Sequence, residues 1–144
     1  MLLVLARCGK HDANVVDPDG PVMQPTPYNL VVPSNFPALP PVPTDNPTTV
    51  EGLALGRRLF YETALSLDHT VACASCHRQE LAFTDGRAHA LGVNQGVSPR
   101  SAMSLGNLAW EPKLCWVGAF GSLKAQARKP VVNVMEMHQP LAKA

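Results

Sequence analysis

The 144-residue chain is poor in charge and in aromatic side chains, with 16% Asp, Glu, Lys and Arg, 6% Phe, Trp and Tyr, and a net charge of +1. No basic stripe or Lys/Arg cluster occurs, which argues against nucleic acid as a main partner. No apolar run is long enough to span a membrane. There is no internal repeat and no sustained alternation of apolar and polar residues, so a strand-rich fold is not expected. The length allows one domain with one core and is too short for two full ones. Proline, in contrast, is abundant: 14 residues, ten of them between Pro18 and Pro47. Proline fixes φ and removes a hydrogen-bond donor, so the core has to come mostly from the last two-thirds of the chain.

Three segments follow. Residues 1–8 read as the remnant of a signal peptide, with Leu5-Ala-Arg-Cys8 resembling a lipoprotein cleavage box. That reading puts the true start upstream and a lipid anchor on Cys8. Arg7 fits poorly where a small residue is expected, and a cysteine without function is the alternative. Residues 9–47 form a proline-rich extended lead-in, either a solvated linker or a strap over a domain. Residues 48–144 carry the helical signals. Thr48 and Glu51 have capping-box spacing, opening a helix over about 49–62 with Val50, Leu53, Leu55, Leu59 and Phe60 as its apolar stripe. A short helical turn is expected over 72–79, loop over 84–100, and helices over about 101–110 and 122–127. The fold class is mainly α, with long loops.

Cys73-Ala-Ser-Cys76-His77 places two thiols and an imidazole at i, i+3 and i+4, which share one face of a helical turn. This is the attachment signature of a c-type haem: two thiols add to the vinyl groups while the imidazole reaches the iron. A zinc site would need a second Cys/His pair at finger-like spacing, and none is present. A thioredoxin-like redox pair would need a βαβ context. The expected cofactor is one covalent haem c on Cys73, Cys76 and His77, with His77 as the iron ligand. Covalent haem attachment places the chain in the periplasm.

The flanks carry a closer resemblance. Leu55-Gly-Arg-Arg-Leu-Phe-Tyr61, the stretch Val71 to His77, Leu81-Ala-Phe-Thr-Asp-Gly-Arg87 and Arg100-Ser-Ala-Met-Ser-Leu-Gly-Asn-Leu-Ala-Trp110 resemble the first half of the bacterial di-haem cytochrome c peroxidase and MauG superfamily. The lead-in, with Pro40-Pro-Val-Pro-Thr-Asp-Asn-Pro47, is most similar to the branch found beside methanobactin operons. The resemblance covers about residues 26–137. It implies a cytochrome c-like domain holding a haem that reacts with hydrogen peroxide. It also implies electron exchange with a second haem domain and with a redox partner protein. Trp116 matches a tryptophan between the two haems, Gln126 an amide of the peroxide pocket and Glu136 its acid, with equal gaps of ten residues. A carboxylate there can move a proton between the two peroxide oxygens, and an amide can orient the peroxide. Read without the resemblance, Trp116 also fits a plain core residue and Gln126 a solvated helix position.

The resemblance also departs in places. No second haem motif is present, so the chain reads as a truncated N-terminal half of a di-haem enzyme. Ser101 replaces an asparagine that helps bind calcium, so calcium, which the resemblance implies, loses a ligand. Val117 and Ala119 replace charged residues after the tryptophan, and Lys124 replaces an acidic one. Val93 stands where the peroxidases proper have a distal histidine, which favours an open or water-bound haem face, and His89 reads as a surface residue. Two other functions stay open at this point: a mono-haem electron carrier, with Met103, Met135 or Met137 as sixth ligand, and an inactive fragment.

Overall fold

Thr49 starts the first regular element. Its hydroxyl accepts the Gly52 N–H at 3.0 Å and caps α1, Val50–Phe60. Arg57 and Arg58 in the last turn suit the negative end of the helix dipole. The capping box expected from Thr48 and Glu51 does not form. With Thr49 as the cap, Glu51 falls one position short of the place that reaches back to it, and its carboxylate instead accepts the Thr26 N–H at 2.9 Å. The apolar stripe of α1 is formed but faces outward, with Leu53 and Leu55 44% and 57% exposed.

The computed structural model describes residues 24–140. All of the regular structure among them is helical: α1, the single turn α2 at Cys73–Cys76, α3 at Leu123–Val132, and four 3₁₀ turns at Thr63–Leu65, Gln79–Leu81, Val93–Gln95 and Leu108–Trp110. No strand occurs among the described residues, only isolated bridges. The expected helix over 101–110 is reduced to the 3₁₀ turn at its end. Gly106 is followed by Asn107 in the left-handed region (φ 57°), which breaks a helix there. The helix expected over 122–127 runs further, to Val132, through Pro130. Its end is held from outside: the Pro130 carbonyl accepts Met137 N–H and the Val131 carbonyl accepts Gln139 N–H. The Cys8 anchor and the signal remnant lie outside the described residues.

Three single bridges close three loops: Arg78 with Thr84, Leu91 with Val97, and Leu114 with Phe120. Each loop contains non-glycine residues at positive φ, namely Ala82 and Phe83, Asn94 and Gln95, and Cys115. Such residues cost on the order of 1–2 kcal/mol each, so the loops hold because their surroundings determine them. The core beneath is small. Val71, Val93 and Met137 pack together, with Leu65 and Val131 against them. Fully buried Ser66 ties the 63–71 segment: its hydroxyl donates to the Thr63 carbonyl and accepts Val71 N–H. The described part of the proline-rich segment is tied to the start of α1 through Thr26 and Tyr28, to Lys124 through Asp45, and to Trp110, whose indole N–H donates to the carbonyls of Pro37 and Ala38 at 3.2 Å and whose ring lies 5.0 Å from Phe36. No described helix is long and apolar enough to cross a membrane.

Candidate functional site

α2 is one turn long, and local hydrogen bonds define it. Ser75 N–H donates to the Ala72 carbonyl, the Ser75 hydroxyl accepts Ala72 N–H at 3.0 Å, and His77 N–H donates to the Cys73 carbonyl at 3.0 Å. Cys73 and Cys76 are therefore on one turn, both as free thiols and both half-buried. The Cys76 thiol donates to the Leu91 carbonyl at 3.6 Å, which joins α2 to the 91–97 loop. Burial pushes both thiols up from their ordinary range. For Cys76 the negative charges of Asp85 and Glu136 add to that effect.

The imidazole of His77 is oriented by the loop that follows it. Its Nδ1 lies 2.9 Å from the Phe83 carbonyl. A carbonyl only accepts, so Nδ1 is a protonated donor, and in the neutral ring Nε2 is the nitrogen with the lone pair. Phe83 is at φ 60° and its loop is closed by the Arg78–Thr84 bridge, so the orienting carbonyl depends on that strained backbone. Sequence reasoning named His77 and missed Phe83, because a backbone carbonyl leaves no mark on residue type. A cleft of about 540 Å³ opens beside His77, with Tyr61, Ala74, Ser75 and Arg78 among its walls.

These features fit a haem. The group needs two thiols one helical turn apart and a single imidazole nitrogen fixed in the metal-binding tautomer by a hydrogen bond on its other side. Among the described residues no three His, Cys, Asp or Glu side chains cluster to hold a bare ion. One further atom stands out: Asp85 is 7% exposed, its Oδ1 accepts Arg87 N–H at 3.1 Å, and its Oδ2 has no partner.

The three further residues singled out in the sequence fall in different settings. Glu136 is half-buried beside α2, and burial raises its proton affinity above the ordinary carboxylate value. The Asn133 amide, Lys129 and His77 act in the opposite direction. Its Oε1 accepts from Asn133 Nδ2 at 2.9 Å. Gln126, on α3, has its Oε1 2.8 Å from the Cys115 thiol, which donates to it. Trp116, next to Cys115, is 63% exposed and borders a shallow depression with Ala88, Pro99, Arg100 and Ser101. Glu136 and Gln126 thus take separate partners, and Trp116 faces outward. Asn133 and Cys115 were not anticipated. Asn133 had a usable signal, because an asparagine whose side chain accepts the N–H two residues on marks a turn. Val93 is 2% exposed in the core, and its N–H donates to the Glu136 carbonyl at 2.8 Å. His89 is exposed, its Nδ1 3.0 Å from the Ser98 carbonyl of its own loop.

Comparison with known proteins gives a consistent result. The family model described as di-haem cytochrome c peroxidase matches residues 50–144. A methylamine utilization protein MauG from Methylorubrum extorquens is 40% identical over 101 residues, 70% of this chain and 29% of that protein. Cytochrome c peroxidase Ccp of Escherichia coli is 35% identical over 97 residues, 67% of this chain and 21% of that protein. The crystal structure of a MauG-like protein associated with microbial copper homeostasis superposes with a TM-score of 0.74 at 40% identity, covering 80% of this chain and 33% of that one. The chain spans less than a third of the length of these curated relatives and corresponds to their N-terminal part. Its fold is helical and consistent with a cytochrome c-like domain, and the chain belongs to the di-haem cytochrome c peroxidase family.

Proposed function

We propose that Cys73 and Cys76 attach one haem c covalently, that His77 Nε2 ligates its iron, and that this domain is the peroxide-reactive half of a periplasmic di-haem peroxidase. The bound haem supplies a redox-active iron at which the O–O bond of hydrogen peroxide is broken. Glu136 acts as the acid–base group. Its Oε1 is engaged by Asn133, and Oε2 takes a proton from one peroxide oxygen and returns it to the other, which leaves as water. Gln126 orients the peroxide through its amide N–H groups while Cys115 holds its carbonyl. Trp116, 63% exposed, is accessible to a second haem domain and carries the electron between the two haems. A redox partner protein supplies or accepts the electrons.

The observation that carries this reading is the half-buried Glu136 carboxyl beside Cys76 and His77, with its proton affinity raised by burial. A group that must both take and release a proton near neutral pH works best when its affinity is lifted toward that range. A mono-haem carrier would want a sulfur as sixth ligand, and Met137 is instead 3% exposed, packed against Val71 and Val93.

The test is to produce the chain with a haem-maturation system and record its optical spectrum with and without peroxide. A high-spin ferric spectrum that changes on adding peroxide is expected. Glu136→Gln should slow that change roughly 10²–10⁴-fold. A low-spin spectrum indifferent to peroxide would reject the peroxidase reading, and an unaltered rate in Glu136→Gln would reject the role of that carboxyl.

A further inference from the structure

Glu136 is held at both of its ends. On the backbone side, Val93 N–H donates to the Glu136 carbonyl at 2.8 Å, and the 92–96 turn lies directly on residues 135–136. The approach is so close that a Cβ on Gly92 would stand 2.2 Å from the Met135 carbonyl oxygen and 2.4 Å from that of Glu136. On the other side, Glu136 N–H donates to the Asn133 carbonyl at 3.0 Å. At the side-chain end, Asn133 is the one hydrogen-bond partner of the carboxylate among the described residues.

The Asn133 side chain has no freedom in which way it faces. Its Oδ1 accepts Met135 N–H at 3.1 Å, and an N–H can be received only by the oxygen of an amide. The NH₂ group is therefore turned to Glu136 Oε1. The residue itself is anchored as the C-cap of α3, its N–H donating to the Lys129 carbonyl. Four hydrogen bonds, to the Lys129 carbonyl and from the N–H groups of Met135, Glu136 and His138, thus fix a donor that stabilises the ionised carboxylate. The charged and titratable groups facing Glu136 are Lys129 from α3, Cys76 from α2 and His77 directly after α2.

We infer that Asn133 is a positioning residue for the peroxide carboxylate: its amide holds Oε1 and leaves Oε2 as the oxygen that meets the substrate. The inference rests on the acid–base role proposed for Glu136. Without Asn133 the side chain would be free about its χ angles above a backbone that cannot move, and the carboxylate would lose a donor.

The isosteric variant Asn133→Asp isolates the effect. It keeps an oxygen for Met135 N–H, so the turn stays closed, and it replaces the donor facing Glu136 by a carboxylate oxygen. Asn133→Ala removes both. The haem-loaded chain is titrated by infrared difference spectroscopy, with the Glu136 carboxyl band identified by its loss in Glu136→Gln, and the peroxide reaction is followed across pH. Both Asn133 variants should shift the Glu136 midpoint to higher pH. Asn133→Asp should shift it further, because two carboxylates then oppose each other. The acid limb of the peroxide rate should move with the midpoint, and the rate within the shifted range should fall roughly tenfold or more, the loss expected of one hydrogen bond to a charged group. An unmoved carboxyl band in both variants would overturn the inference, as would equal rate losses at every pH with no shift. An unaltered rate in Glu136→Gln would reject the acid–base role and leave the infrared shift as separate support for the Asn133 contact. If Asn133→Ala does not fold, Asn133→Asp alone decides.

Discussion

Gly92 and Gly56 offer the same chemical change in opposite settings. At Gly92 the backbone has φ −104°, a value any residue adopts, so alanine would meet no dihedral penalty. Its Cβ, however, would stand 2.2 Å from the Met135 oxygen and 2.6 Å from the Glu136 Cα, both backbone atoms that cannot swing aside. Relief requires the 92–96 turn to withdraw by about 1 Å, which stretches the Val93-to-Glu136 hydrogen bond from 2.8 Å beyond useful range. Overpacking costs about 1–3 kcal/mol and the lost bond about 1 kcal/mol more. The total of about 2–4 kcal/mol corresponds to a fall in melting temperature of roughly 10–30 °C for a domain of this size. At Gly56, inside α1, a Cβ meets nothing within 4 Å. Alanine there should stabilise by about 0.5–1 kcal/mol through helix propensity. Thermal unfolding of both variants, followed by circular dichroism on the haem-loaded chain, compares them directly. If Gly92→Ala melts within a few degrees of the parent, the 92–96 turn does not clamp the Glu136 backbone and the reasoning fails.

Three further outcomes follow from the same geometry. Because burial raises the Glu136 proton affinity in the fold, the folded chain binds more protons than the unfolded one just above the ordinary value of 4.5. Stability from this group is complete below that value and is lost as pH rises through the folded-state midpoint. Urea unfolding at stepped pH should show that slope in the parent and a flatter one in Glu136→Gln; the same slope in both would refute it. Replacing Cys73 and Cys76 together by serine should release all haem from the denatured polypeptide, checked by haem staining after a denaturing gel, and a stained band would contradict the attachment. Trp110→Phe keeps the ring against Phe36 but loses two N–H contacts of 3.2 Å, so chemical denaturation should register a loss of about 1 kcal/mol. No change would mean that the 24–47 segment does not depend on that anchor.

Local spacing made much of the site legible. Cys73, Cys76 and His77 are adjacent in the chain, so one helical turn brings them together whatever the rest does. α3 starts close to the expected position, capped by the Ser122 hydroxyl, which needs only the Ala125 N–H three residues on. Thr48 and Glu51 had the right types for a cap, but a shift of one residue gave the cap to Thr49 and left Glu51 to Thr26, 25 positions away. The helix expected over about 122–127 runs on through Pro130, where contacts from Met137 and Gln139 hold its last carbonyls.

The sequence by itself determined the Cys73–Cys76–His77 turn, the helical class and the family, since each rests on residue types at short fixed spacings. Only the tertiary structure decided how those residues are aimed. The Phe83 carbonyl sets the His77 tautomer, Cys115 holds Gln126, and the 92–96 turn and Asn133 hold the two ends of Glu136. Most of these contacts use backbone atoms, loop residues at positive φ, or partners many positions apart. Residue type records none of those, and only the closed loops and the small core beneath them bring the atoms within reach.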